Sequence, residues 1–366
     1  MKTILFLGGD KNAWPIVDIA AKMGLKTIVV DGNPNAYTRG NVFIEASCYH
    51  PDQVLSAING FEIDAVLSAG TDTPHVMAAV AEARGIVGPS KWTAEHSIDK
   101  INQAELFSSH DILIPKYKLE DPYGLLDGPV VVKPADSRGA RGVLRLMQGE
   151  SWQEAKREAM KYSPTNRVIF QRWITGTQLS SESLVQDGKI LWTAYSERNY
   201  DKLHIFAPHV IEDGGDMPPK IPVVYENDYE QICKEQLQKC VDALKFKTGT
   251  LKGDLVWDGL YCWVIEVATR LSGGGFCEPQ IRLCWNVNFV KCAIKLALGE
   301  KLTVAHIWKS DKHNYTADIR PRFRNYVCQR YRFPKSVTMH PERGDYVIAT
   351  GGSREEARMK AQEMLI

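Results

Sequence analysis

The chain has 366 residues and a mass of 41.1 kDa, which at roughly 150 residues per domain favours two or three compact units. Hydrophobic residues make up 44% and charged residues 24%, the proportions of a globular protein, so bulk disorder is excluded. Because 45 Lys and Arg balance 44 Asp and Glu, no global charge excess favours nucleic acid as a partner. The opening apolar run at residues 4–7 is too short for a signal-peptide core, and no run approaches the roughly 18 apolar residues that span a bilayer. We therefore expect a cytoplasmic protein with no membrane partner.

Cysteine and histidine spacing excludes two further classes of site. The eight cysteines contain no C-x-x-C pair, and several fall in apolar helical or strand patterns, so we expect buried free thiols. The nine histidines contain no H-E-x-x-H spacing, which leaves a zinc protease without support.

The first ninety residues alternate between strand and helix patterns. An apolar run at residues 3–7 ends in Gly8-Gly9 and is followed by a helical face that includes Ile16 and Ala20. Further apolar strands are predicted at residues 27–31 and 64–69. Such alternation predicts a doubly wound parallel sheet.

The strand ends in this sheet suggest two kinds of ligand site. Gly8-Gly9 followed by Asp31 resembles the start of a dinucleotide fingerprint, but Asp10 and Ala13 stand where its later glycines are needed. A nicotinamide oxidoreductase is therefore the weakest interpretation, and a tight turn beside a strand-end aspartate explains the pattern better. Thr71 and Asp72 follow the strand at 64–69, at the edge where small ligands bind, although the same loop is typical of a helix cap.

A second motif has the composition of a phosphate site. The β-branched run at residues 130–132 leads through Lys133 into a loop that contains Ser137, two arginines and two glycines. Closely approaching backbone N–H groups and fixed positive charge favour a triphosphate, although a plain glycine hairpin has a similar pattern. The loop lacks G-x-x-x-x-G-K-[ST] and is not a P-loop.

Two acids further along the chain are predicted to meet on a hairpin. Asp254 and Glu266 lie on strands joined through Asp258-Gly259, so their carboxylates would be neighbours. Mg²⁺ binds through one or two carboxylates plus phosphate oxygens, whereas two acids on a hairpin are more often a solvated face. Glu266 argues against the solvated face because it interrupts an apolar run at residues 263–267, where an unpaired charge is costly.

The order of these motifs resembles the ATP-grasp superfamily of carboxylate-amine ligases. Lys100, Lys133 with its loop, residues 170–176 and Asp254 follow one another as in that family, and Glu266 is followed by Arg270. The resemblance covers nearly the whole chain, and its terminal segments look like those of biotin-carboxylase and purine-biosynthetic members. It implies α/β and α+β architecture in three units. These are a Rossmann-like pre-ATP-grasp domain at 1–90, a two-lobed ATP-grasp domain at 91–310 with a lid lobe at about 116–190, and a C-terminal α/β subdomain at 311–366.

The resemblance also implies the ligands and their residues. ATP would be bound by Lys100, Lys133, Ser137, Arg138, Gly139, Gly142, Val143, Gln171, Arg172, Trp173, Ile174 and Gln178, and Mg²⁺ by Asp254 and Glu266. Gln178 departs from the family's usual ribose-binding glutamate, but an amide can still bond a hydroxyl. Ala268 replaces the asparagine that many members carry two residues after the second acid, which puts a second metal ion in doubt.

The implied reaction activates a small-molecule carboxylate as an acyl phosphate and joins it to an amine. Arg270, Glu266 and Arg141 would be the catalytic residues. The substrates would be contacted by Thr71, Asp72, Glu182, Arg198, His209, Ser272, Gly273 and Gly274. The sequence of residues 270–275 is similar to that of amino-acid ligases, so amide-bond formation is the leading prediction.

Two alternatives to this reaction stay open at this point. A carboxylase-like enzyme that phosphorylates bicarbonate is favoured by Ala268, and an ATP-binding regulatory protein without turnover is suggested by Gln178 and Ala268. Related proteins are often dimers, so a homodimer is a further expectation.

Overall fold

A computed structural model of the chain describes residues 1–68, 70–125, 127–147, 149–221, 228–307, 323–333 and 344–366. The N-terminal part is a four-stranded parallel sheet in the order β3-β2-β1-β4. Helices cover the sheet, and β1, β2 and β4 are accordingly almost wholly buried, as the continuous apolar runs predict. Its elements are β1 (Thr3–Leu7), α1 (Trp14–Lys22), β2 (Lys26–Asp31), β3 (Val42–Glu45), α2 (Pro51–Ala57), β4 (Ala65–Ser68) and α3 (Pro74–Arg84).

Two helices, α4 (Lys91–Ile98) and α5 (Lys100–Ser108), lead into the rest of the chain. Asp99 caps α5 by accepting the N–H groups of Ile101 and Asn102, at 2.9 and 3.1 Å. The Gln103 amide on α5 exchanges two hydrogen bonds with the backbone of Val267, at 3.0 and 2.8 Å. These bonds fix the start of α5 beside the site described below.

A small antiparallel sheet forms a separate lobe. Its strands have the order β5-β8-β6-β7, and α6 (Trp152–Met160) packs on β6 and β7. The strands are β5 (Tyr117–Lys118), β6 (Val130–Pro134), β7 (Leu144–Leu146) and β8 (Val168–Arg172). This lobe ends near residue 172, earlier than the predicted limit of 190, because the next strand pairs with a different sheet.

The third sheet has seven strands in the order β13-β12-β9-β10-β11-β14-β15, all antiparallel. Its strands are β9 (Thr177–Gln186), β10 (Lys189–Asn199), β11 (Gly214–Met217), β12 (Gly249–Trp257), β13 (Cys262–Ala268), β14 (Tyr326–Tyr331) and β15 (Tyr346–Gly351). The accompanying helices are α7 (Leu203–Phe206), α8 (Tyr229–Ala243), α9 (Ile281–Trp285), α10 (Phe289–Ala297), α11 (Val304–Ile307) and α12 (Arg354–Glu363), with a π-helical turn at Phe276–Gln280. One continuous apolar core is formed by α10 together with residues of the seven-stranded sheet and of the N-terminal sheet.

The predicted C-terminal subdomain is continuous with this sheet in its described part, because β14 and β15 extend the sheet instead of forming another one. Asp216 of β11, only 1% exposed, pairs with Arg354 and Arg358 of α12 and so fixes the last helix on the sheet. Residues 311–322 and 334–343 of the predicted unit lie outside the described residues.

Two expectations from composition can be compared with the fold. All eight cysteines are buried and free, as their spacing predicts. Within the described ranges, none of the helices combines the length and apolarity that crossing a membrane requires.

Candidate active site

The three sheets surround a cavity of about 1670 Å³, which continues into a smaller one of about 130 Å³. The larger cavity extends from the edge of the N-terminal sheet to the seven-stranded sheet, and the smaller one lies between that sheet and the small lobe. Residues that line both cavities are Lys100, Ser137, Arg138, Gly139, Ala140, Arg141, Arg198, Asp254 and Glu266. The predicted phosphate loop and the predicted metal ligands therefore meet where the two cavities join.

The floor of the site is the hairpin of β12 and β13. Asp254 and Glu266 are directly paired across it, as the sequence predicts. Asp254 lies 2.7 Å from Arg198 Nη1 and 2.7 Å from Lys252 Nζ. Burial opposes its ionisation, but these two cations outweigh burial and hold the pKa of Asp254 far below its usual range. Asp254 is therefore a carboxylate.

Arg198 connects the floor to a second acid. Its guanidinium pairs with Asp254 and also with Glu212, and the side chain is largely buried. Burial disfavours the cation, yet the two carboxylates raise the pKa of Arg198 well above its usual value. The guanidinium is thus a permanent charge in the cavity wall.

Glu266 links the floor to the loop above it. Lys100 Nζ lies 3.4 Å from Glu266 Oε2 and donates a hydrogen bond of 2.9 Å to the carbonyl of Ser137. Among the described residues no group of three or more His, Cys, Asp or Glu side chains could hold a metal ion. Two acids facing an open cavity nevertheless fit Mg²⁺, which completes its coordination with water and phosphate oxygens.

Lys133 lies in the wall of the smaller cavity and is 8% exposed. No carboxylate of the described residues lies within 4.0 Å of its ammonium group. Burial lowers the pKa of Lys133 to about 8, against the opposing attraction of Glu266. A buried cation without a contacting anion is suited to an anionic ligand.

The loop after β6 crosses the mouth of the cavity. The Arg138 guanidinium stacks on the Tyr49 ring of the N-terminal part, 3.8 Å from its centroid, and Arg141 Nε donates to the Arg138 carbonyl at 3.3 Å. At Gly142 the backbone has φ +72°, and a Cβ there would lie 2.8 Å from Tyr162, so glycine is required. The loop is thus shaped by its glycines and anchored through Arg138 and through the Ser137 carbonyl.

The smaller cavity has a lining that suits a planar aromatic ring. Val131, Leu179, Val256 and Ile265 supply apolar walls, together with the predicted residues Val143, Gln171, Arg172, Trp173, Ile174 and Gln178. Arg172 pairs with Asp127 at the rim. The arrangement combines apolar faces with backbone groups of β8, as binding of an aromatic base requires.

Arg270 and the glycine loop after it border the N-terminal sheet. Arg270 forms an ion pair with Asp72; burial opposes ionisation of Asp72, but Arg270 outweighs it and lowers the pKa of that carboxyl. The backbone of Leu271 bonds Ser68 at 3.1 Å, and Gly274 N–H donates to Asn12 Oδ1 at 3.0 Å. Thr71, Asp72, Arg270, Ser272, Gly273 and Gly274 all line the larger cavity.

Two predicted substrate residues do not line either cavity. His209 forms an antiparallel bridge with Leu144 of β7, because residues 208–210 run along the edge of the small lobe. Its predicted role in the acceptor pocket stays a prediction. Glu182 is fully buried and accepts the Ser272 N–H at 2.7 Å, so it lies beneath the glycine loop.

Three residues of the site were missed by sequence reasoning. Lys252 shares the cavity face of β12 with Asp254, two residues away, and the period of a strand is a signal that could have identified it. Glu212 and Tyr49 are brought in by tertiary packing, and nothing in their local sequence indicates it. Asp31 accepts the N–H groups of Gly9 and Asn33, at 2.7 Å each. It thus stabilises the turns beside it, as predicted for a strand-end aspartate next to a tight turn.

Comparison with known proteins relates this arrangement to a family. Residues 97–274 match the ATP-grasp domain. The carbamoyl phosphate synthase large chain of Clostridium acetobutylicum is 25% identical over 303 residues, which are 76% of this chain and 26% of that one. The large chain from Pseudomonas aeruginosa is 22% identical over 98% of this chain and 35% of its own length. The chain thus spans about a quarter to a third of these two relatives.

Solved structures resemble the chain over its whole length. An L-amino acid ligase from Bacillus licheniformis aligns with a TM-score of 0.77 and 17% identity, covering 100% of this chain and 97% of that one. Phosphoribosylglycinamide synthetase from Anaerococcus prevotii aligns with a TM-score of 0.74 and 14% identity, covering 100% and 98%. At these identities the likeness establishes the fold alone, and it confirms the predicted combination of a parallel sheet with antiparallel sheets.

Proposed function

We propose that this chain, which contains an ATP-grasp domain at residues 97–274, is an ATP- and Mg²⁺-dependent ligase that joins a small-molecule carboxylate to an amine. The observation that carries the proposal is the convergence in one cavity of the paired acids Asp254 and Glu266, the buried Lys133 and the glycine loop. The curated relatives are carbamoyl phosphate synthase chains, and one structural neighbour is an L-amino acid ligase.

ATP would occupy both cavities. Its adenine would lie in the smaller cavity against Trp173 and Ile174, and its phosphates would extend past Lys133 toward Lys100. Asp254 and Glu266 would hold Mg²⁺, which would neutralise phosphate charge. Fixed cations placed before the reaction stabilise the charge of phosphoryl transfer without later reorganisation.

The chemistry needs no side-chain nucleophile. An oxygen of the substrate carboxylate attacks the γ-phosphorus, the bond to ADP breaks, and an acyl phosphate forms. The amine nitrogen then attacks the acyl carbon, loses a proton and expels phosphate. Arg270, at the border of the two sheets, has a guanidinium that suits the carboxylate or the acyl phosphate.

A second candidate is an enzyme that phosphorylates bicarbonate. It is favoured by a structural neighbour, the N5-carboxyaminoimidazole ribonucleotide synthetase from Thermotoga maritima, with a TM-score of 0.69 and 16% identity over 100% of this chain and 98% of that one. Ala268 also supports it, as does the relationship to carbamoyl phosphate synthase chains.

The test is nucleotide release with Mg²⁺ and ATP over a matrix of amino acids, other carboxylic acids, amines and bicarbonate. We expect ADP only when a carboxylate and an amine are both present. Release of ADP with bicarbonate alone would support the second candidate, and AMP would indicate adenylation and overturn the mechanism. Tight ATP binding without any turnover would instead support an ATP-binding regulatory protein.

A further inference from the structure

Glu182 is an acid on the site face of the seven-stranded sheet that the proposed chemistry leaves unused. On β9 it shares a face with Gln178 and Ser180, which line the smaller and the larger cavity. Its direct partner on β12 is Lys252. The row of polar residues that begins at the predicted nucleotide pocket therefore ends at Glu182.

The glycine loop lies between Glu182 and the larger cavity. Glu182 Oε1 accepts the Ser272 N–H at 2.7 Å, while Ser272, Gly273 and Gly274 themselves line the cavity. Gly274 has φ +66°, a conformation open to glycine at little cost. The cover is thus one short glycine-containing segment, held by the Gly274 N–H bond to Asn12 and by the Gln329 amide, which donates to the Gly274 carbonyl.

The acceptors beneath this segment lack donors. Glu182 Oε2, Ser272 Oγ and Gln280 Oε1 are buried side-chain oxygens without a hydrogen-bond partner among the described residues. The two nearby cations have other carboxylate partners, since Lys252 contacts Asp254 and Arg270 contacts Asp72. Buried polar atoms usually have a hydrogen-bond partner, so these three oxygens beside one loop are candidate acceptors for a ligand that carries N–H donors.

A fully buried carboxyl among these acceptors favours a ligand that carries positive charge as well as donors. Burial raises the pKa of Glu182 to about 8, against the Ser272 N–H bond and the attraction of Lys252. A cation in contact with Oε2 would stabilise the ionised form that burial disfavours.

We propose that Glu182 is the recognition site for an ammonium group that the amine substrate carries in addition to its reacting, uncharged amine nitrogen, with Ser272 Oγ and Gln280 Oε1 as the other acceptors. The three N–H donors of an ammonium group match the three unsatisfied oxygens. This inference rests on the proposed function and adds to it the charge of the second substrate. The amine enters from the larger cavity when the glycine loop moves aside, and the loop returns over it.

The test compares the wild type with Glu182→Gln, whose amide retains an acceptor for the Ser272 N–H but carries no charge. ADP release is measured against the concentration of each amine that the wild type uses, and in parallel with hydroxylamine, an uncharged nucleophile that traps acyl phosphates. Loss of a charge-assisted contact predicts an increase of about thirtyfold in KM for the amine. The KM for ATP should change by less than about twofold, and the ratio of amine to hydroxylamine turnover should fall about tenfold or more.

Glu278→Gln is the matched control, because Glu278 is also buried near this loop but is paired with Arg282 at 2.7 Å. It should leave the KM for the amine within about twofold of the wild type. If Glu182→Gln fails to fold, Ser272→Ala removes one acceptor without changing Glu182, and an increase of about threefold in KM for the amine is expected.

Each outcome decides between the two proposals. An unchanged KM for the amine in Glu182→Gln, with an active wild type, overturns the inference and leaves the proposed function intact. Equal losses with amine and hydroxylamine also overturn the inference, since they indicate a structural role. A wild type that uses no amine overturns the proposed function, and the inference falls with it.

Discussion

The floor and the roof of the cavity hold their charges in different ways. On the floor, Arg198 and Lys252 bind Asp254 from β10 and from β12, and the register of paired strands fixes all three. On the roof, the loop after β6 presents Arg138, whose guanidinium stacks on Tyr49 across the cavity mouth. The floor is anchored by a sheet, and the roof by a stacked pair and a few hydrogen bonds, among them the one from Lys100 to the Ser137 carbonyl.

Phosphoryl transfer has two structural requirements, and the floor is suited to one of them and the roof to the other. Charges that stabilise the reacting phosphate are most effective when they do not reorganise, and strand pairing supplies that rigidity. Nucleotide entry and product release require a segment that opens, and a loop held by few contacts can do so. We therefore expect changes to the floor to affect the chemical step most, and changes to the roof to affect nucleotide binding.

The largest effect is expected for Glu266→Gln on the floor. The amide keeps the shape of the side chain but removes one of the two carboxylates that we propose hold Mg²⁺. Loss of one such contact costs about 3 kcal/mol in the barrier, or roughly a hundredfold or more in turnover. ADP release at saturating ATP across a Mg²⁺ titration measures it, with circular dichroism to verify the fold.

Asp258→Asn is the control for this change, because Asp258 lies in the turn of the same hairpin and lines neither cavity. Its amide oxygen can still accept the Leu260 and Tyr261 N–H groups, so turnover should stay within about twofold of the wild type. Mg²⁺-dependent turnover that survives in Glu266→Gln would rule out the metal assignment.

Lys133→Ala should have the next largest effect. The pKa of this buried ammonium is lowered to about 8 by desolvation, and contact with phosphate oxygens would relieve that cost. Removing a charge-assisted bond predicts roughly a tenfold or greater loss of affinity for ATP. Equilibrium binding of a non-hydrolysable ATP analogue measures it. Lys118→Ala, an exposed lysine on the neighbouring β5, should bind normally, and normal binding by Lys133→Ala would contradict the phosphate role.

Tyr49→Leu should weaken the roof by a smaller amount. A stacked guanidinium contributes about 0.5–2 kcal/mol, so cleavage of the loop by trypsin at Arg138 or Arg141 should accelerate roughly threefold to tenfold. Affinity for the ATP analogue should fall by a similar factor. Tyr49→Phe retains the ring and should restore protection, while Tyr261→Leu, at an exposed tyrosine of the β12–β13 turn, should not alter cleavage. Protection of the loop in Tyr49→Leu would show that another contact holds it.

The features of the fold that local sequence determines could be predicted from the sequence. The order of strands and helices in the first ninety residues follows from local periodicity and strand-end glycines, and the structure has the predicted parallel sheet. The pairing of Asp254 with Glu266 was predictable because a short turn at Asp258-Gly259 determines the register of a hairpin.

Long-range pairing was not predictable in the same way. Tyr49 meets Arg138 because two sheets pack together, and no local pattern encodes that distance. The extension of the large sheet by β14 and β15 depends on backbone hydrogen bonds with β11, which any strand sequence could supply. The roles of the site residues, the homodimer and the cytoplasmic location stay predictions.

The smallest effect is expected where the N-terminal part meets β15. Lys11 Nζ lies 3.0 Å from Asp345, but the two side chains are 65% and 68% exposed, whereas those of Arg270 and Asp72 are 11% and 23% exposed. Exposed pairs contribute about 0–1 kcal/mol, so Lys11→Ala should change the free energy of unfolding by less than about 0.5 kcal/mol. A double-mutant cycle with Asp345→Ala, in urea with and without about 0.5 M salt, measures the coupling, which screening should abolish. A coupling above about 1 kcal/mol that survives salt would mean that this exposed contact, and not only the buried pair, holds the N-terminal sheet against the body.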